Sequence, residues 1–204
     1  MGLFISIEGI DGSGKSSIKE GILNYLRDYN PVGVREPGGT LISERIRALL
    51  LDVKSVGITS KTEAFLYASS RSQLVDEVIK PALDEGKIVV ADRYIDSTLA
   101  YQGYGRGLDL KFLEELNMLC TGGIKPDLTL LLDVDPEVSW HRKKGEKFDR
   151  LEQEGIAFQK KVREGYLCLA EREPDRIKVI SADRKFSDVL EDALTWVKHL
   201  LAGM

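Results

Sequence analysis

The sequence predicts an α/β fold in which helices flank both faces of a five-stranded parallel sheet. Short runs rich in Val, Ile and Leu alternate with longer stretches whose apolar residues recur at helical spacing. Some of the short runs are almost continuously apolar, as strands covered on both faces are. A glycine-rich segment separates the first run from the first helical stripe, which gives the order strand, loop, helix. Alternating strands and helices imply right-handed crossovers and therefore a parallel sheet.

Each predicted strand is a short apolar run with polar residues at its end. The five runs are LFISIE at 3–8, VGVRE at 32–36, KIVVAD at 87–92, DLTLLLDVD at 127–135 and RIKVIS at 176–181. Ligands collect beyond the carboxyl ends of parallel strands, so the polar residues there are candidates for a site. They are Glu8, Arg35, Glu36, Asp92, Arg93, Asp133 and Asp135.

The helices between the strands are predicted from apolar stripes. One stripe runs from Ile18 to Leu26 and a second from Ile42 to Leu50. The clearest stripe, over 189–201, closes the chain. We interpret all three as faces that pack against the sheet.

Length and composition place the chain among ordinary globular proteins. Its 204 residues are most simply one domain over 1–204, long enough to bury a core. The net charge of −4 argues against a protein that coats nucleic acid, since such proteins carry a basic face. No apolar run approaches the roughly 20 residues of a membrane span, and the N-terminus lacks the features of a signal peptide. We therefore expect a cytoplasmic protein without nucleic-acid or membrane partners.

The glycine-rich segment GIDGSGKS, residues 9–16, fits the pattern G-x-x-x-x-G-K-[ST]. Glycines let backbone N–H groups turn toward a polyphosphate, and the helix that follows adds its positive end. In this pattern Lys15 reaches the β- and γ-phosphates, and the Ser16 hydroxyl can hold Mg²⁺. A chance glycine-rich turn is the alternative, but the flanking strand and helix favour a P-loop NTPase fold that binds a nucleotide.

Further charged residues surround that loop. Asp92 ends an apolar strand, where a carboxylate beyond the first coordination shell of Mg²⁺ usually lies, and Arg93 follows it. Arg47 and Arg71 fall on helical stretches after strand ends, where they could bind an anion. The basic segment at about 141–151 is either a solvated helix face or a short lid that closes over phosphates and excludes water.

Two other loops carry polar groups suited to a nucleoside. REPGGT at 35–40 places a charged pair before a Pro-Gly-Gly turn, although an ordinary loop explains it about as well. STLAYQGYGRG at 97–107 contains Tyr101, which can pack on a sugar, and Gln102, whose amide can read a base edge. A polar helix followed by a glycine-rich loop is the alternative there.

The motifs together resemble, in their order and over essentially the whole chain, the thymidylate kinase family, which phosphorylates dTMP to dTDP with ATP. IEGIDGSGKSS resembles the family's phosphate loop, and REPGGT with ERIRALLLD its second signature. EAFLYASSRSQ and DRYIDSTLAYQG resemble the third and fourth, and PDLTLLLDV followed by DRLEQE resembles the region of the lid. The resemblance implies a homodimeric dTMP kinase of dTTP biosynthesis, with ATP as co-substrate and Mg²⁺ as cofactor.

The resemblance also implies a role for each matching position. The ATP phosphates would be held by Gly9, Ile10, Asp11, Gly12, Ser13, Gly14, Lys15, Ser16 and Ser17. The dTMP site would comprise Glu36, Pro37, Arg47, Tyr67, Arg71, Arg93, Ser97, Tyr101 and Gln102. Ser16 would bind Mg²⁺ directly, and Asp92 would act on it from the second shell.

Within the implied dTMP site the roles divide between phosphate, base and sugar. Arg47 and Arg93 would clamp the phosphate. Tyr67, where the family more often has Phe, would stack on thymine, Arg71 would bond a thymine carbonyl and Gln102 would read the pyrimidine edge. The remaining implied roles are Tyr101 against a ribose 2′-hydroxyl, Pro37 beside the thymine methyl and Asp11 near the acceptor sugar and the transferring phosphoryl group.

The implied catalytic residues are Lys15, Asp11, Arg93 and one cation of the lid. The phosphate loop has no arginine, so the resemblance implies the bacterial-like type whose lid supplies one. The lid reads RKKGEK, with Lys144 where that type often has arginine, and lysine cannot form a bidentate fork. Either Arg142 or Lys144 then carries the transition-state charge, and the sequence leaves that choice open.

Three other functions remain as alternatives. A different nucleotide or deoxynucleoside kinase could use the same scaffold. A P-loop switch would require an N-K-x-D motif after a strand, which is not found, and a DNA motor would require a basic face. A nucleotide binder without catalysis is the third alternative, and the intact Lys15, Ser16 and Asp92 argue against it.

Overall fold

The computed structural model describes residues 2–145 and 147–203. In that part of the chain five parallel strands form one sheet in the order β2-β3-β1-β4-β5. The strands are β1 Leu3–Glu8, β2 Val32–Arg35, β3 Ile88–Asp92, β4 Leu128–Asp133 and β5 Ile177–Ser181. The predicted α/β class and the parallel five-stranded sheet are therefore confirmed.

Helices connect the strands and cover the sheet. They are α1 Lys15–Tyr25, α2 Leu41–Leu51, α3 Ser60–Leu74, α4 Lys80–Asp84, α5 Ile95–Thr98, α6 Leu110–Thr121, α7 Pro136–Arg142, α8 Gly155–Arg172 and α9 Phe186–Ala202. Two π-helical segments, Val75–Ile79 and Leu99–Gly105, continue α3 and α5. Within the described residues no helix combines the length and apolar composition that a membrane crossing requires.

Side-chain caps fix where several helices begin. Thr40 accepts a hydrogen bond from Ser43 N, and Asp109 accepts one from Phe112 N. Each such cap stabilises a helix by about 1 kcal/mol. Asp135, a predicted strand-end candidate, is also a cap, because β4 ends at Asp133 and Pro136 begins α7. Its carboxylate bonds to Glu137 N instead of entering a site.

The core lies on both faces of the sheet because successive strand residues point to opposite sides. In β1, Phe4 packs with Val89 and Ala91 on one face, whereas Ile5 and Ile7 pack on the other. The first face is covered by α3, α4 and the π-helical segment between them, and the second by helices that include α1, α8 and α9. Burial on both faces explains why these runs are apolar at nearly every position.

Strand register sets the polar ends beside one another. Asp92 pairs with Ile7 of β1 on one side and with Arg35 of β2 on the other. The segment after β1 leads directly into α1, and Arg93 N donates to Ile7 O. The ends of β1, β2 and β3 therefore form a common edge, where most of the candidate residues lie.

Candidate active site

The loop between β1 and α1 has the backbone that its glycines predict. Gly9, Gly12 and Gly14 have φ values of 139°, 77° and 92°. A side chain at Gly9 would also collide with the chain, since its Cβ would lie 2.5 Å from Leu132 O. Helix α1 begins at Lys15, so its free N–H groups face the same side as the loop. The segment is built to surround an anion.

Lys15 bonds back to the loop, and Ser16 bonds to the end of β3. Lys15 is buried and its Nζ donates to Ile10 O over 2.8 Å. Burial and the nearby Arg93 lower the pKa of Lys15 to about 8, against the opposing effect of Asp11. Ser16 Oγ donates to Asp92 Oδ2 over 2.8 Å, so the hydroxyl and carboxylate predicted to serve Mg²⁺ are in contact.

Arg93 lies at the centre of the strand edge. Its Nη2 donates to Asp11 Oδ1 over 2.6 Å and to the Tyr101 hydroxyl over 2.9 Å. Its Nη1 donates to Gly9 O and to the Ser97 hydroxyl. Burial by itself would raise the pKa of Asp11, but the charges of Arg93 and Lys15 and the hydrogen bond from Arg93 together outweigh it and hold that pKa well below its usual range. The side chains therefore meet as a guanidinium and an ionised carboxylate.

One cleft beside this cluster contains about 530 Å³ of space, part of it open to solvent. All nine residues of the predicted dTMP site line it. The further lining residues are Asp11, Leu51, Thr98, Asp149 and Leu151. The structure thus brings together side chains that are spread over five separate segments of the sequence.

A second cleft opens over the phosphate loop. It is lined by Asp11, Gly12, Gly14, Lys15, Ser16, Ser17, Arg35, Glu36, Arg47, Asp92, Arg93 and Lys143. Four of these residues also line the first cleft: Asp11, Glu36, Arg47 and Arg93. The two clefts therefore adjoin, with two arginines and two carboxylates at their common boundary.

Arg71 is buried beneath the first cleft and is already bonded on several sides. Its Nε donates to Glu36 Oε2 over 2.7 Å, and its Nη1 donates to Thr98 and to Asn117 Oδ1. Its Nη2 donates to Tyr94 O. Burial would lower the pKa of Arg71, but Glu36 raises it above the ordinary value. These bonds use four of the five N–H groups of the guanidinium, and Nη2 also lies 2.7 Å from Glu36 Oε2.

A match to the family model described as thymidylate kinase spans residues 7–193. The chain belongs to the thymidylate kinase family. It is 45% identical over 203 residues to a thymidylate kinase of Symbiobacterium thermophilum. The matched region covers 98% of this chain and 95% of that protein. A thymidylate kinase of Ligilactobacillus salivarius is 43% identical, with 98% and 99% covered.

A solved structure of thymidylate kinase from Ehrlichia chaffeensis has the same fold. It superposes with a TM-score of 0.80 at 35% identity and covers 97% of this chain and 98% of that one. The sequence resemblance to the thymidylate kinase family is thus confirmed by relatives that match almost from end to end. The fold is the P-loop NTPase fold that the glycine-rich segment predicted.

The two lid cations predicted for this thymidylate kinase family member are both exposed. Arg142 donates to Ala182 O over 2.9 Å and approaches Gly12 O at 3.4 Å, so it lies beside the phosphate loop. Lys144 is not among the described residues that line either cleft. The lid residue that does line the phosphate cleft is Lys143, which also bonds Glu152. The predicted lid at 141–151 includes residue 146, which lies outside the described residues.

Several residues at the site were not singled out from the sequence. Asp149 and Leu151 line the nucleoside cleft because Arg150 N donates to Leu51 O and fixes this segment against α2. Tyr166 reaches the strand edge from α8 and accepts from Arg93 Nη1. No local pattern marks such residues, since their roles depend on contacts between distant segments.

Proposed function

We propose that this chain transfers the γ-phosphoryl group of ATP to dTMP, giving dTDP and ADP for dTTP synthesis. The observation that carries the proposal is the pair of adjoining clefts with Arg93 at their boundary. One cleft has the loop and lysine suited to a polyphosphate, and the other has aromatic, amide and arginine side chains suited to a nucleoside phosphate. Membership of the thymidylate kinase family supplies the identity of the acceptor.

In this proposal the donor phosphates occupy the second cleft. The backbone from Gly9 to Gly14 surrounds them, and the N-terminus of α1 faces them through Ser16 and Ser17. Lys15 would exchange its bond to Ile10 O for the β- and γ-phosphates. The phosphates would also raise the lowered pKa of Lys15, since negative charge favours the protonated amine.

The acceptor occupies the first cleft. Arg93 and Arg47 bind its phosphate, because both arginines border both clefts. Tyr67 and Pro37 provide apolar surface for the base, and Gln102 reads its edge. Tyr101 donates to Asp11 over 3.1 Å and thereby closes the cleft on the side of the sugar.

Magnesium fits the residues at the end of β3. The Ser16 hydroxyl provides a hard oxygen atom of the type that Mg²⁺ prefers, and the Asp92 carboxylate that accepts from it would act on the ion from the second shell. Among the described residues no group of three His, Cys, Asp or Glu side chains could hold a metal ion. The ion would therefore take most of its remaining ligands from phosphate and water. When bound, Mg²⁺ neutralises charge on the donor phosphates.

Transfer then rests on position and charge, because the phosphate of dTMP is already ionised at neutral pH. Arg93 holds the acceptor oxygen in line with the γ-phosphoryl group, and Lys15 neutralises charge on the donor side. Asp11 keeps Arg93 in place. A lid cation completes the site, with Lys143 added to Arg142 and Lys144 because it lines the cleft.

The proposal extends to a homodimer in the cytoplasm. Large apolar side chains are exposed on α2, α3 and α6, and α3 packs against both of the others. They are Leu41, Ile42, Leu49, Phe65, Met118 and Leu119. We call these six side chains the apolar helix surface. A second copy of the chain packed on it would remove them from water.

A substrate panel tests the reaction directly. In a coupled assay for ADP formation, dTMP should be the preferred acceptor over dUMP, dCMP, dGMP and thymidine. In the Lys15→Ala variant the rate of phosphoryl transfer should fall by about 10³-fold or more, because the lysine charge positioned to face the donor phosphates is removed. Preference for another acceptor would contradict the assignment of dTMP, and dTDP formation by Lys15→Ala at the normal rate would contradict the role of the loop.

A further inference from the structure

Glu8 is the last residue of β1 and is fully buried. Glu8 is not among the described residues that line the two clefts. The reaction as proposed does not use it. Its carboxylate nevertheless lies between the phosphate loop, which begins at the next residue, and the strand end that carries Arg93. Burying a carboxylate costs folding free energy unless its oxygens are hydrogen-bonded, so the contacts of Glu8 need an explanation.

Three donors from two other parts of the fold converge on this carboxylate. Tyr94 N donates to Oε1 over 2.7 Å. The hydroxyl of Ser97, on α5, donates to Oε2 over 2.6 Å, and the hydroxyl of Tyr166, on α8, donates to the same oxygen over 2.8 Å. Every partner supplies a hydrogen, which is the arrangement that an ionised carboxylate requires.

The same two hydroxyls also contact Arg93. Arg93 Nη1 lies 3.2 Å from Ser97 Oγ and 3.1 Å from the Tyr166 hydroxyl, and it shares its two hydrogens among these oxygens and Gly9 O. An arginine can only donate, so the single hydrogen of each hydroxyl is available to Glu8 or to the other hydroxyl, which lies 2.8 Å away. Two hydrogen-bonded paths, linked by the contact between the hydroxyls, therefore run from the guanidinium to the carboxylate.

The backbone contact acts on the same arginine. Arg93 has φ of 72°, the left-handed region that side-chain-bearing residues rarely adopt. The bond from Tyr94 N to Glu8 fixes the peptide group that follows Arg93. Glu8 thus holds both the backbone and one nitrogen of Arg93, whereas Asp11 holds the other nitrogen.

We propose that Glu8 is a positioning residue that orients the Arg93 guanidinium, through Ser97 and Tyr166, for the phosphate of the acceptor. This inference rests on the proposed function, in which Arg93 binds that phosphate. Asp11 and Tyr101 hold Nη2, Gly9 O holds Nη1, and the hydroxyls bonded to Glu8 add further contacts that restrain Nη1 and so the plane of the guanidinium. Preorganisation of this kind strengthens binding because less freedom is lost when the ligand arrives.

The electrostatics of Glu8 agree with this role. Burial and the nearby Asp96 raise the pKa of Glu8 to about 7, and the bond from Ser97 and the charge of Arg93 oppose that rise. The ionised form of Glu8, which accepts the hydrogen bonds that orient Arg93, is therefore disfavoured by its buried surroundings. Local features that reduce stability are expected at functional sites.

Binding of two ligands separates this role from a merely structural one. Calorimetric titration at about pH 8, where Glu8 is ionised, would give the Kd of dTMP and of thymidine, which lacks the phosphate. In Glu8→Gln the Kd for dTMP should rise about tenfold, the range for one weakened charge-assisted contact, and the Kd for thymidine should stay within about twofold. Equal weakening of both ligands, or of neither, would overturn the inference.

Two control variants show where a failure lies. Arg93→Ala should lose most of the preference for dTMP over thymidine, and if it keeps that preference the proposed function fails and Glu8 loses its target. Asp96→Asn removes another buried carboxylate, which bonds Arg176 and Thr129 instead of the Arg93 paths. It should bind both ligands as the unchanged protein does. If it selectively weakens dTMP as Glu8→Gln does, the effect belongs to buried charge in general and the inference fails.

A second substitution covers the case in which Glu8→Gln does not fold. Tyr166→Phe removes one of the two hydroxyl paths and leaves the carboxylate in place. It should weaken dTMP by about threefold, less than Glu8→Gln because one path remains, with thymidine unchanged. An unchanged Kd for dTMP in Tyr166→Phe would overturn the inference.

Discussion

Glu8 shows how one residue at this site can act against the stability of the fold. Its carboxyl is buried at the end of the central strand, and its pKa is raised from 4.5 to about 7. Burial is the main cause, Asp96 adds to it, and hydrogen bonds reduce it. The charged or titratable groups that face Glu8 from the elements packed around it are Lys15, Arg93, Asp96 and Tyr166. The folded chain therefore holds a proton on Glu8 at a pH where the unfolded chain has released it.

The sign of the resulting pH dependence follows from that difference. Between about pH 4.5 and 7 the folded state binds more protons at this position, so Glu8 makes the fold less stable as pH rises. Glu8→Gln has no such proton. Its free energy of unfolding, relative to the unchanged protein, should increase by about 2–3 kcal/mol between about pH 5 and 8. Urea unfolding followed by circular dichroism measures this, and a difference that does not vary with pH would contradict it.

Among the elements, the segment after α7 depends on contacts with other helices for its position. Arg150 N and Nε donate to the carbonyls of Leu51 and Leu50 at the end of α2. Arg150 Nη2 also lies 2.6 Å from Glu63 Oε2 on α3, as an ion pair without hydrogen-bond alignment. These contacts hold Asp149 and Leu151 against the nucleoside cleft. One arginine therefore joins the lid region to two helices of the acceptor site.

Loss of this side chain should affect the acceptor more than the donor. In Arg150→Ala the ion pair and the bond to Leu50 O disappear, and the wall of the nucleoside cleft loosens. The KM for dTMP should rise by about tenfold, and the KM for ATP should change by less than about twofold. Steady-state kinetics with each substrate varied in turn measures both. Arg45→Ala, at an exposed arginine of α2, is the matched control and should change neither KM.

At the scale of the whole molecule, the apolar helix surface should decide the assembly. Leu119, which is 81% exposed on α6, is one of the six exposed apolar side chains of this surface. Light scattering coupled to gel filtration should find a dimer, and Leu119→Glu should shift it to monomer by placing charge in the interface. Val179→Glu, at an exposed apolar residue of the edge strand β5, should remain dimeric. A monomer at micromolar concentration in the unchanged protein would contradict the proposal.

The sheet and the location of the clefts could be predicted from the sequence because both follow from the order of strands and helices. Strand ends in a parallel sheet meet at one edge, so Asp92 and the phosphate loop could be placed together from their positions alone. The lid could not be resolved, because nothing periodic determines which of Arg142, Lys143 or Lys144 turns inward. Tyr166 carries no local signal, since it meets Glu8 only through the packing of α8 on the sheet.

The left-handed backbone at Arg93 limits what can occupy that position. Glycine would relieve the conformation but would take away the cation that borders both clefts. Lysine would keep a positive charge while retaining the torsional strain, and it has no planar fork to satisfy Asp11 and a phosphate together. Glycine would satisfy the backbone torsion but could not bind an anion, and lysine would keep the charge but neither the torsion nor the planar geometry. Laboratory evolution for greater thermostability should accordingly leave this codon unchanged even where its neighbours drift.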